Sequence, residues 1–371
     1  MTKNKKLLIG IGIVAMLSIA FVGIYKTRQQ TTDDDTDVRI GVILPLTGAV
    51  GEDGRMALAS LQLAEEDVCA RNPEIRCRFF YEDGKYDAKA TISCFNKLML
   101  DRPDALMVLG DVPNNSLNKL MSDSKMPDLA LVTCDETLIE HNEWMFAGWF
   151  PFSVENDVLC KYAAEKLKVR KLGILYLRNN FGDEALRTFK LATDRYNCEV
   201  LIAESFDMDS PDVKSQVAKV LSHKPDAVYV AGFGQGYIAV FNELYSAGYS
   251  GALLSNTAIS IDGNRLNIIH HAKGVYYVDV AFNRNAGDSK LFVEKFKKKT
   301  GKFPSSTFAT IYAMGRYLAN VAINARRDGV RVRDLLMTSK EDNSIIGGFK
   351  HNANGRLEAV LNVQRVEGCN E

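Results

Sequence analysis

The 371-residue chain carries 46 Lys and Arg against 46 Asp and Glu, with five His and seven Cys. That balance leaves no global field to recruit nucleic acid or an acidic membrane surface. The histidines are scattered and no C-x-x-C spacing occurs, so no metal-ligand set is legible and no cofactor is expected.

Lys3, Lys5 and Lys6 precede an uncharged run, Leu7–Tyr25. Its length, about nineteen residues, is near the minimum for one bilayer crossing. Ser18-Ile19-Ala20 offers a small-x-small cleavage site, but Phe21–Tyr25 stays apolar beyond it. Residues 1–26 therefore read either as an uncleaved signal anchor or as a signal peptide. No Cys lies near this segment, which excludes lipid attachment there. In both readings the lysines hold the N-terminus in the cytoplasm and everything after Lys26 lies outside. The expected localisation is periplasmic or extracytoplasmic, with an inner-membrane anchor if the segment is retained. Residues 27–37 (TRQQTTDDDTD) form a polar tether,. Within it, Asp33-Asp34-Asp35 lacks the ligand spacing of a calcium loop. The remaining chain, roughly 335 residues, is long enough for two domains with sizeable cores.

A short apolar run, Ile40–Leu44, then stops at Pro45. A Gly-rich turn follows (Thr47, Gly48, Gly51, Gly54), leading into a helical pattern at Ala57, Leu61, Ala64 and Val68,. Further strands are predicted at Arg76–Tyr81, Ala105–Leu109, Leu129–Thr133, Lys171–Tyr176, Val200–Ser205, Ala227–Ala231, Ala252–Ser255 and Val275–Val278. Helical patterns lie between them at Ala88–Leu100, Ser116–Ser124, Val154–Leu167, Glu184–Tyr196, Val213–Ser222 and Gly236–Ala247. The alternation implies parallel sheets with helices on both faces, and it runs too long for one ordinary sheet. Cys69 and Cys77 flank a helix-to-strand turn and are the nearest candidates to pair in an oxidising compartment.

Gly232-Phe233-Gly234-Gln235-Gly236 imitates a dinucleotide fingerprint, but Tyr237 stands where its third Gly belongs,. The glycines read instead as a tight turn at a cleft rim. The basic run Lys295–Lys302 lies on the polar side of a helix whose apolar residues are Leu291, Phe292, Val293 and Phe296, and reads as a solvated face. Phe308–Arg326 is a long amphipathic helix. Ile345–Phe349 and Leu357–Gln364 form a terminal hairpin around Asn352-Ala353-Asn354-Gly355.

The wording of several stretches goes further. The opening VRIGVILPLTGAVGEDGRMALASLQLA is followed by YEDGKYDAKATISCFNKLM, VLGDVPNNS with LALVTCDETL, KLGILYLRNNFGDEALRTF, PDAVYVAGFGQGY, FVEKFKKKTGKFPSSTFATIYAMGRYLANVAI and IIGGFKHNANGRLEAVLNVQRVEG. In order and spacing these resemble the branched-chain amino-acid-binding family of type I periplasmic binding proteins. The resemblance implies an α/β fold of two doubly wound parallel-sheet lobes joined by a three-segment hinge. Lobe 1 would comprise 38–152 and 283–343, and lobe 2 would comprise 153–282 and 344–371. The crossovers would fall near Phe150–Ser153, Val280–Asn283 and Asn343–Ile345.

Carried over position by position, the family's carboxylate-holding residues fall on Asn114 and Thr137, with the backbone of Asp135 beside them. Asn114, Asn115 and Ser116 are expected to open a helix whose N–H groups favour an anion; the alternative is that they cap it and nothing more. The family's ammonium-holding carboxylate falls on Thr257. Two cleft tyrosines are replaced by Phe181 and Phe233, and a third aromatic position near the first turn is Asp53. A buried ammonium without an acidic partner is costly, so either Asp53 or Asp135 supplies the charge or the ligand has no ammonium. Phe181, Phe233 and Trp149 suit an apolar ligand body, against the alternative of plain core packing. The expected ligand has an acidic or amide-like head: an amino acid, or a related carboxylate or amide. The function implied is a monomeric solute-binding protein that delivers a small molecule to ABC transporter permease subunits. The alternative is a membrane-tethered sensor of the same fold. No nucleophile–base or paired-carboxylate set supports an enzyme.

Overall fold

The computed structural model describes residues 37–48, 50–133, 135–261, 271 and 274–366. The expected anchor or signal segment and nearly all of the tether lie outside the described residues. Among those described, no helix is long and apolar enough to cross a membrane.

Among the described residues, fourteen strands run β1 (Val38–Leu44), β2 (Cys77–Asp83), β3 (Ala105–Leu109), β4 (Asp128–Leu131), β5 (Met145–Ala147), β6 (Lys171–Leu177), β7 (Glu199–Phe206), β8 (Ala227–Ala231), β9 (Ala252–Ser255), β10 (Tyr276–Val280), β11 (Lys340–Glu341), β12 (Phe349–His351), β13 (Leu357–Ala359) and β14 (Leu361–Arg365). The first sheet is all parallel in the order β2-β1-β3-β4-β5. The second runs β14-β10-β9-β8-β6-β7, with only β14 antiparallel. β11, β12 and β13 make a small antiparallel sheet. β1, β3 and β8 are near-continuous apolar runs because helices cover both faces of each large sheet,.

In each large sheet the winding reverses, between β1 and β3 and between β6 and β8. Such a reversal opens a crevice at the strands' carboxyl ends. Helices begin tightly against those ends. A Cβ on Gly54 would lie 1.9 Å from the Pro45 carbonyl oxygen, and one on Gly182 would lie 1.8 Å from that of Leu177. Only glycine lets the two helices, Gly51–Arg71 and Asn180–Arg195, start this close to the rim,.

The Gly287–Thr300 and Ser306–Asp328 helices return to the first lobe and pack on Gly51–Arg71. Asp67 accepts from Lys295 Nζ at 2.5 Å and from the Tyr312 hydroxyl. Lys299 pairs with Glu66, and Lys302 with Glu52. The basic run at 295–302 is therefore an ion-pair seam between two helices rather than a wholly solvated face.

The expected strands and helices are present with shifted ends, and four details differ. The helix expected from Ser116 spans Asp111–Ser124, because Pro113 sits in its first turn, where a missing N–H costs nothing. β5 is too short to leave a periodicity. Cys69 and Cys77 are not bonded; the Cys69 thiol donates to the Cys77 carbonyl at 3.1 Å.

The fourth difference concerns the terminal hairpin. Its first arm starts at Phe349 and its second arm divides. β13 stays with β12, while β14 joins β10 in the second sheet. The Ala147 N–H donates to the Gly355 carbonyl at 2.8 Å, and His351 Nε2 lies 2.8 Å from the Ala147 oxygen. Residues 349–359 thus pack on the first lobe, and the third crossover falls at Val360 instead of 343–345.

Candidate functional site

The carboxyl edges of both sheets face one cleft of ≈ 390 Å³. The first lobe contributes Pro45 and Asp53 after β1, Tyr86 after β2, and Leu109, Gly110 and Asp111 at the end of β3. The second contributes Phe152 and Glu155 from the first helix beyond the crossover, Phe181 after β6, Phe233 after β8 and Thr257 after β9. Trp149, on the crossover itself, and Phe308 complete the wall. Gly110, at φ 94°, is the position that admits Tyr86: a Cβ there would lie 2.4 Å from the Tyr86 ring.

The aromatic wall consists of two groups of touching rings. Phe181 meets Phe152 edge-on at 4.8 Å between centroids and Phe233 edge-on at 5.1 Å. Trp149, buried to 3 % exposure, stacks on Phe150 at 4.8 Å. Each ring props the next, so the apolar surface is set before any ligand arrives.

Five residues expected at the site, Asp53, Trp149, Phe181, Phe233 and Thr257, converge on this cleft. Four do not line it: Asn114, Asn115, Asp135 and Thr137. Because the helix begins at Asp111, Asn114 falls in its second turn and points into the lobe. Its buried amide donates to the carbonyls of Val108 and Gly110 at 2.9 and 2.8 Å and to Thr133 Oγ1 at 3.0 Å. Asn115 faces solvent. The Asp135 carboxylate caps the short Glu136–Glu140 helix, accepting from the Thr137 N–H at 3.0 Å and from its hydroxyl at 2.6 Å. The groups expected to hold an acidic head are engaged in the fold.

Glu155 was not expected. It is 1 % exposed and lines the cleft beside Thr257. Its Oε1 accepts from the Thr257 N–H at 2.7 Å and lies 2.9 Å from Thr257 Oγ1. Oε2 has no hydrogen-bond partner among the described residues. Thr257 Oγ1 also donates to the Val278 carbonyl at 2.8 Å. Behind Glu155, the buried Asp279 accepts from Ser306 Oγ at 2.5 Å and from the Val280 N–H at 2.8 Å. Burial pushes Glu155 up to about 8, with the Asp279 charge adding to the rise and the Thr257 hydrogen bonds opposing it. Burial likewise pushes Asp279 up to about 7 against its hydrogen bonds. Asp53, half-buried at the opposite wall, is also raised, by burial and by neighbouring Glu52.

A signal for Glu155 was available. In Phe152–Glu165 the buried positions are Phe152, Glu155, Asn156, Leu159, Cys160, Ala163 and Ala164. A carboxylate therefore sits on the helix's inward stripe, where an ionised side chain is costly without a partner. Among the described residues, no His/Cys/Asp/Glu group is arranged to hold a metal ion.

A family model described as periplasmic binding protein matches residues 37–370. No curated protein sequence matches the chain. Solved structures share its fold at low identity. A leucine-binding protein, LivK, from Thermotoga maritima matches with a TM-score of 0.79 and 17% identity, over 89% of this chain and 95% of that one. A branched-chain amino acid transporter substrate-binding protein, LivJ, from Streptococcus pneumoniae, solved with isoleucine, gives 0.78 and 17%, over 89% and 96%. A solute-binding protein of an ABC transporter from Rhodopseudomonas palustris, solved with 3,4-dihydroxybenzoic acid, gives 0.77 and 17%, over 90% and 94%.

Proposed function

The chain belongs to the periplasmic binding protein family, and from that premise we propose that it is the solute-binding component of an ABC transporter. It captures a small molecule in the interlobe cleft outside the cytoplasm and delivers it to the permease subunits. It is a binding protein and not an enzyme. The observation that carries the reading is the cleft itself. Two sheets present their carboxyl edges to one ≈ 390 Å³ space with a pre-packed aromatic wall, in the size range of small-molecule sites. The uncharged run behind Lys3, Lys5 and Lys6 supports export, and an anchor there would keep the lobes at the membrane face where permeases lie.

The test has two parts. The purified chain is screened by thermal shift against amino acids, aromatic acids, amides and organic amines, because a ligand of the folded state raises the melting temperature. Uptake of each stabilising compound is then compared in cells with and without the chain. A stabilising compound whose uptake needs the chain supports transport. Uptake that is indifferent to the chain for every stabilising compound contradicts it.

A further inference from the structure

From the charge and ring geometry of this cleft we infer that its ligand is an organic cation, an ammonium group on an apolar body, rather than an acid or a zwitterion. The inference rests on the solute-binding reading above and names the ligand class.

The first ground is the charge of the lining. Asp53, Asp111, Glu155 and Asp209 face the cleft, and no Lys, Arg or His lines it among the described residues. Glu52 also lines it but is taken by Lys302. Neither Asp53 nor Glu155 Oε2 has a hydrogen-bond partner among the described residues. Glu155 is 1 % exposed and lines the cleft, so its unpartnered Oε2 stands where a donor on a ligand can complete it.

The second ground concerns the first-lobe helix ends that would otherwise favour an anion. Gly51–Arg71 carries Glu52 and Asp53 in its first turn, and Asp111–Ser124 carries Asp111. The chain's own acids already stand at those two positive ends, while the helix starts at Gly234 and Ser306, which also border the cleft, carry none. An incoming carboxylate would meet first-lobe acids and, among the described residues, no cation in the lining.

The third ground is the aromatic wall. Trp149, Phe181 and Phe233 present rings to the same space, and ring faces attract a desolvated ammonium while covering the hydrocarbon attached to it. The carboxylate absent at Thr257 is thereby supplied from another element, since Glu155 reaches Thr257 from the helix after the crossover. The acidic or amide-like head expected from sequence gives way to a basic one.

The experiment uses one ring and three charge states on the purified full-length chain: calorimetric titration with 2-phenylethylammonium, 3-phenylpropanoate and phenylalanine. The ammonium compound is expected to bind at least about tenfold more tightly than either of the others. Glu155→Gln and Asp53→Asn, each checked for an intact melting transition, should weaken it by at least about tenfold. Two variants on opposite walls keep the test decisive if one of them fails to fold. Equal or tighter binding of 3-phenylpropanoate or phenylalanine overturns the inference and leaves the solute-binding reading standing. Binding of none of the three also overturns it, and the wider thermal-shift screen then decides the solute-binding reading separately.

Discussion

Glu155 and Thr257 lie 102 residues apart in the chain, yet Glu155 Oε1 accepts the Thr257 N–H at 2.7 Å and meets its hydroxyl at 2.9 Å. This contact joins the helix that follows the first crossover to the carboxyl end of β9, and it puts a carboxylate beside a position that carries none of its own. The chemistry of the cleft turns on that substitution of one element's charge for another's.

Thr257→Val tests the contact directly. It removes the one O–H that lies between Glu155 Oε1 and the Val278 carbonyl, leaving one of these buried acceptors short of a donor. The expected cost is about 1–3 kcal/mol, read as a lower urea midpoint at unchanged m. Thr257→Ser keeps the hydroxyl and should retain most of the stability. Equal loss in both variants would show that the methyl packing, not the hydroxyl, matters there.

Stability should fall as pH rises from the ordinary carboxyl range to about 8. Glu155 at about 8 and Asp279 at about 7 are both held above their ordinary values of 4.5 and 3.8, so the folded state prefers their protonated forms. Their contribution is complete below the ordinary carboxyl range and is lost as pH rises through the two raised values. His351 acts in the opposite sense. Burial holds it down at about 4, so its contribution is lost as pH falls from the ordinary imidazole range toward that value. Melting temperature measured from about pH 5 to about pH 9 should therefore fall from the ordinary carboxyl range up to about pH 8 and level off above it. The Glu155→Gln, Asp279→Asn double variant should flatten that fall. An unaltered slope in the double variant would assign it to other groups.

Gly110→Ala should disturb both fold and cleft. The residue sits at φ 94°, and its new Cβ would lie 2.4 Å from the Tyr86 ring. Overpacking of this kind costs about 1–3 kcal/mol, and Tyr86 must leave its place in the wall. Ligand affinity should fall together with the melting temperature. If Tyr86→Ala restores the melting temperature in the Gly110→Ala background, the clash is the cause.

The family resemblance carried Asp53, Phe181, Phe233 and Thr257 to positions that line the cleft. Phe181, Phe233 and Thr257 closely follow β6, β8 and β9, and a parallel sheet delivers such positions to one edge,. Asn114 and Thr137 lie off the cleft for a local reason. Pro113 sits in the first helical turn with Asn114 directed inward after it, and Thr137 bonds the Asp135 cap. Glu155 was hidden because its partner is remote in sequence; only its place on an inward helical stripe marks it. The division of the terminal hairpin between two sheets depends on packing against Ala147, which no local pattern encodes.

The three crossovers predict domain closure. They fall between β5 and the Phe152–Glu165 helix, between β10 and the Gly287–Thr300 helix, and at Val360 between β13 and β14. Such short links between two packed lobes are where hinge rotation is absorbed. Small-angle scattering should show a smaller radius of gyration when a stabilising ligand saturates the chain. An unchanged radius would mean that binding proceeds without closure.

The chain has two tryptophans, and their placement allows the most direct test of the central claim that solute binds between the lobes. Trp149 lines the cleft, whereas Trp144 is buried away from it beneath Arg331 and Arg333. In a Trp144→Phe variant the sole indole is therefore a cleft wall. Titration with any compound that raises the melting temperature should change its emission saturably, with the affinity seen by calorimetry. A stabilising ligand that saturates the protein and leaves Trp149 emission untouched would place the binding site elsewhere and contradict the account.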